Sequence, residues 1–281
     1  MVGAASPKKS TSRSRALVRA GWIPDQHGAW AMAASPLLIG ITHAGAHPIH
    51  ILLAAAWLAA FLAFNVVEVW AKTPVRRRKP VHLALLSHTS VTCVLGLALV
   101  IVRPALLSWA WLYLPLAAAT IGLIFRRQER ALVTRALSIV ISCLVAPVAA
   151  SLSVGGGAFT DVVPHSLSGG DQGVRIWTST AILVLYFFGT VLFVRSMIRG
   201  RGDIRWARAS IIYHIASGLL VGGCMVGLDL PLGIGAVWVV LIIRAWVFPV
   251  AQRSRKPFKP IVLGLSETLW CAVLTAVLIV G

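Results

Sequence analysis

Nine stretches of about twenty predominantly apolar residues recur along this chain, and that recurrence restricts its fold more than any other feature. Twenty residues of α-helix rise about 30 Å, the thickness of the hydrocarbon core of a bilayer. The stretches fall at residues 28–46, 49–71, 82–102, 105–125, 132–152, 176–194, 209–228, 231–251 and 260–280. Only 12% of the 281 residues are charged and 58% are hydrophobic. A soluble domain carries roughly 25% charged residues. Alternating ten-residue strands are absent, which argues against a membrane β-barrel. The expected fold is all-α: a polytopic membrane helical bundle of about nine transmembrane helices. The first span is the weakest, because Pro36, Thr42 and His43 interrupt it. The basic residues before it and Ala44-Gly45-Ala46 after it also fit a signal peptide. Asp25, Gln26 and His27 stand where a signal would be building its apolar region, so the span is read as retained.

A formal net charge of +18 raises the question of nucleic acid, but the charge lies in the wrong places. With the amino terminus set in the cytoplasm, 23 of the 26 basic residues fall in the tail and the loops of that one side. Arg103 and Arg175 fall on the other side and Arg244 within a span. Short loops rich in Lys and Arg stay cytoplasmic, so the pattern predicts a cell (plasma) membrane protein with its amino end inside and its carboxyl end outside. Attraction to anionic membrane lipids is a second expected effect, and no nucleic-acid partner is expected. Cys93, Cys143, Cys224 and Cys271 lie mid-span without paired spacing, which fits buried free thiols and no metal site.

Residues 1–22 read as a basic, disordered cytoplasmic tail, and residues 23–281 as a single transmembrane domain. The long outer loop, 153–175, is rich in Gly and Ser and reads as a flexible tether. Its Gly155-Gly156-Gly157 lacks the Gly-Lys-Ser and the strand-to-helix setting of a phosphate loop.

Ionisable residues within a span cost about 2.5–3.5 kcal/mol on insertion scales, so they usually face a partner or a wet cavity. Here they gather at the cytoplasmic ends. Asn65, Glu68 and Lys72, spaced i, i+3, i+7, share one helix face as the second span ends. Arg195 and Arg199 stand i, i+4 at the end of the sixth span, Tyr213 and His214 enter the seventh, and Gln26 and His27 open the first. Arg244 and Glu267 lie on consecutive antiparallel spans at one depth, roughly 10 Å below the surface, where pairing makes both tolerable. Structural readings stand beside these. Arg195 and Arg199 fit snorkelling anchors, His27 an interfacial residue, His214 a hydrogen-bonded core histidine, and Arg244–Glu267 a lock between helices. Glu68 also fits a partner for Lys72 at i+4.

The segments "IPDQHGAWAM" at 23–32 and "KPFKPIVLGLSETLW" at 256–270 resemble the YwiC-like family of bacterial integral membrane proteins. By motif the resemblance marks Gln26, His27, Gly28, Trp30 and Glu267 without giving them roles. More distantly, nine spans with an Asn-containing segment closing the second resemble the UbiA-type intramembrane prenyltransferases. That resemblance implies two Asp-rich loops holding Mg²⁺ on a prenyl diphosphate. Asn65 matches the opening Asn, but Val69 and Thr73 stand where Asp residues should follow, and Arg195 and Arg199 replace the second Asp pair. Guanidinium groups do not bind Mg²⁺, but they do bind phosphate bidentately.

The expected function is therefore binding of an anionic lipid or isoprenoid phosphate in a basic, cytoplasm-facing cavity. Arg195, Arg199 and Lys72 would bind the anion, Asn65, Glu68, Gln26, His27 and His214 would orient it, and no cofactor would be needed. One alternative is a prenyl or lipid-phosphate transferase, with Glu68 or His27 as acid–base group and Mg²⁺ as its metal. Another is a secondary transporter that protonates Glu267 or Glu68.

Overall fold

The computed structural model describes residues 8–24, 27–152, 170–254 and 258–281, and these are helical apart from turns. The helices are α1 (Lys8–Arg19), α2 (His27–Ala44), α3 (Ile49–Lys72), α4 (Lys79–Val102), α5 (Ala110–Phe125), α6 (Leu132–Cys143), α7 (Val145–Ser151), α8 (Gly170–Ile198), α9 (Ile204–Leu228), α10 (Leu232–Ser254) and α11 (Pro260–Val280). A 3₁₀ segment, Pro104–Trp109, leads into α5. Helix α1 covers part of the tail read as disordered. Among the described residues, eight helical segments are long and apolar enough to cross a membrane, with α6 and α7 acting as one. Their outer faces carry bare apolar side chains, such as Val226 at 90% and Leu219 at 73% exposure. Water would penalise such a surface, whereas lipid does not.

The ninth expected span, α2, is not among the eight, yet it runs through the centre of the bundle. It packs on α6, α7, α8 and α11. Pro36 has no N–H to give the carbonyl of Met32, one turn back. Ser142 of α6 donates its hydroxyl to that carbonyl at 2.7 Å, and Trp57 of α3 donates to the next one, Ala33, at 2.8 Å. Inside a membrane a freed backbone group needs such a neighbour. On the same helix, a Cβ at Gly40 would sit 2.3 Å from the Ala146 carbonyl oxygen. The helices touch backbone to backbone there, as small residues permit. Near the end of α7 the buried His50 donates from Nε2 to the Ala149 carbonyl at 3.0 Å, while its Nδ1 accepts from the His47 N–H.

The ends of α3, α5, α8 and α10 lie with the starts of α4, α6, α9 and α11 at one pole of the bundle, called the basic end below. Arg103 and Arg175 belong to the opposite pole.

Candidate functional site

At the basic end α5 stops with Arg127 in the left-handed region, φ 61°. The connection then folds onto α6, where the Thr134 hydroxyl donates to the Gln128 carbonyl at 2.7 Å. This turn presents Glu129 and Arg130, 3.9 Å apart, beside the end of α8. Arg135, one turn into α6, reaches across to α3 and lies 3.8 Å from Glu68 Oε1. The other oxygen of Glu68 takes the Lys72 ammonium at 3.1 Å. Arg199 completes the group. Burial first, and then the nearby Arg130, Arg135 and Arg195, lower its guanidinium below the ordinary value, against an opposing pull from Glu129. An arginine stays charged regardless. Five cations, Lys72, Arg130, Arg135, Arg195 and Arg199, thus share this region with two carboxylates, Glu68 and Glu129.

Arg195 has a second occupation. Its guanidinium lies over the Trp206 ring, 3.9 Å from the centroid. Trp206 in turn lies on Gly200, where a Cβ would come within 2.5 Å of the indole. This stacking fixes the α8–α9 turn and leaves Arg199 the freer of the two.

Several residues expected at the site do other work. Asn65 donates from Nδ2 to the Gly21 carbonyl at 3.2 Å and so ties the segment after α1 to α3. His214 is 2% exposed, well inside α9, and gives its Nδ1–H to the Ser210 carbonyl at 2.7 Å. Its Nε2 would lie 3.1 Å from a Cβ on Gly189. His214 thus packs between α8 and α9, below the rim. Gln26 and the side chain of His27 lie outside the described residues. So do His165 and Gly155–Gly157 of the outer loop.

Arg244 and Glu267 form a buried ion pair between α10 and α11. Glu267 Oε1 takes Arg244 Nη1, and its Oε2 accepts the Thr190 hydroxyl at 2.9 Å. The Tyr186 hydroxyl donates to the Glu267 backbone carbonyl, also at 2.9 Å. Phe193 closes the other side, with its ring centroid 4.1 Å from the guanidinium carbon of Arg244. Nε and Nη2 of Arg244 have no partner among the described residues.

Sequence reasoning missed Arg130 and Arg135 as members of the rim, and Thr190 and Tyr186 as holders of Glu267. In the sequence the two arginines read as topology charges. Nothing in their spacing says which helix they face. Among the described residues, no group of three His, Cys, Asp or Glu could hold a metal ion.

The model of the YwiC-like protein family matches residues 23–150. This matched stretch is a little under half of the chain. It contains α2 through α7, hence Glu68, Lys72, Arg130 and Arg135 of the basic cluster. The chain is also 29% identical over 193 residues to the "Uncharacterized protein YwiC" of Bacillus subtilis, covering 69% of this chain and 74% of that protein. The "Uncharacterized protein" of Haemophilus influenzae is 28% identical over 205 residues, covering 70% of this chain and 76% of that protein. No solved structure matches the chain.

Proposed function

We propose that the basic cluster binds the phosphate of an amphipathic anion, a lipid or isoprenoid phosphate, at the cytoplasmic surface of the cell membrane. What carries this reading is the convergence of arginines from the α5–α6 turn, α6 and α8 around Arg199 with too few carboxylates to neutralise them. A phosphate supplies the missing negative charge, and guanidinium forks hold it bidentately. Arg199, Arg130 and Arg135 are the binding groups, and Glu68 orients Arg135 from below. Phe125 and Val133, both more than half exposed on either side of Arg130, offer the apolar chain a path into lipid. The partners in this reading are membrane lipids.

The test is native mass spectrometry of gently extracted protein beside an Arg199→Gln/Arg130→Gln variant. The parent should carry a discrete phosphate-bearing lipid, and the variant should lose it by about tenfold or more. An equal, diffuse lipid shell on both proteins would reduce the arginines to topology anchors. Arg195 is spared in this design because its substitution would also unpack Trp206.

A further inference from the structure

A cavity opens at the basic end, beside the α8–α9 turn. It measures about 360 Å³, at the small end of the range for ligand sites. The α8–α9 turn, the first turn of α9 and the last turns of α10 enclose it. Among the described residues Ser196, Arg201, Asp203, Ala207, Pro249 and Gln252 line it, with the turn glycines between them.

Two features mark it as a site. Gln252 is 6% exposed and lines the cavity. Its carboxamide offers two N–H donors and an accepting oxygen to whatever fills the cavity. Second, Arg201 and Asp203 stand at the mouth two residues apart with opposite charges, and among the described residues neither forms an ion pair. Asp203 caps α9 by accepting the Arg205 N–H at 2.9 Å, which uses one of its oxygens. The other oxygen and the guanidinium remain for a ligand with both signs of charge.

We infer that this cavity binds the head group of an ethanolamine phosphodiester. Arg201 takes the phosphate, Asp203 takes the ammonium, and Gln252 reads the ester oxygens at the back. The lining explains ethanolamine rather than choline. A primary ammonium brings three N–H donors for a carboxylate, whereas a quaternary one has none and is held by aromatic rings. No aromatic side chain lines the cavity among the described residues. The position also suits a lipid head group, because the helices end at that level.

The test uses the full chain, extracted into detergent with equal amounts of phosphatidylethanolamine and phosphatidylcholine of identical acyl chains, and read by native mass spectrometry. The parent should retain the ethanolamine lipid over the choline lipid by about tenfold. Asp203→Asn, which preserves the helix cap, and Gln252→Leu should each bring the ratio to about one. The Arg199→Gln/Arg130→Gln variant should keep the preference, which separates this site from the anion cluster. Displacement by glycerophosphoethanolamine would assign a soluble zwitterion as occupant, and retention in its presence would assign the lipid; either supports the site. Equal retention of the two lipids by the parent, or a preference that survives both cavity substitutions, would overturn it.

Discussion

Glu267 has a partner for each carboxylate oxygen, Arg244 on one and Thr190 on the other, and its own carbonyl is held by Tyr186. A carboxylate fixed on three sides and 5% exposed reads as a clamp between α8, α10 and α11. Glu267→Gln would leave the Arg244 charge buried and unpaired, a loss of about 3–5 kcal/mol in comparable buried pairs. Arg244→Leu with Glu267→Leu removes both charges, and most of that stability should return. The thermal unfolding midpoint in detergent checks this: a double variant no more stable than Glu267→Gln would show that the charges themselves hold the helices. The equal depth of these two residues was legible because consecutive antiparallel spans can be measured inward from their ends. Asn65 was legible only as a polar residue on a helix face. Its actual partner, the Gly21 carbonyl, lies 44 positions back in the chain, and no helical spacing connects the two.

At the scale of elements, apolar length located the spans well, and the deviations have physical causes. Helix α8 begins at Gly170 and ends at Ile198, whereas the apolar window runs from 176 to 194. An apolar window records where the oil is, and a helix continues into polar water for as long as its backbone bonds close. Asp171 in the first turn and Arg195 in the last suit the dipole at those ends. Helix α2 shows the converse: Pro36, Thr42 and His43 weaken its signal, yet the polar contacts it needs come from Ser142 and Trp57 on neighbours that the sequence cannot specify. Its closest approach is testable. Gly40→Ala drives a methyl group to 2.3 Å from a backbone oxygen of α7, which cannot yield as a side chain would. Overpacking of this kind costs about 1–3 kcal/mol. Gly96→Ala, with nothing within 4 Å of the added carbon, should be neutral or stabilise by about 0.5–1 kcal/mol. Similar unfolding midpoints for the two variants would refute the tight α2–α7 contact.

For the whole molecule, the distribution of basic residues was the most legible property and the packing order the least. Charge along the chain names the pole to which each helix end belongs, but it does not say that α3, α6 and α8 meet there. The cluster of Glu68, Arg135 and Arg199 depends on that meeting. Both proposed sites lie at the same pole, so the source of any ligand depends on which side of the membrane that pole faces. The positive-inside rule predicts that it faces the cytoplasm, since Lys and Arg in short loops resist translocation. With the four native cysteines changed to serine, Arg77→Cys reports on the basic end and Arg175→Cys on the opposite end; both positions are exposed. A membrane-impermeant maleimide should label Arg175→Cys in intact cells, and Arg77→Cys only after permeabilisation. The reverse pattern would turn the arginine cluster and the Gln252 cavity outward, and both would then have to draw their ligands from the outer leaflet or the medium.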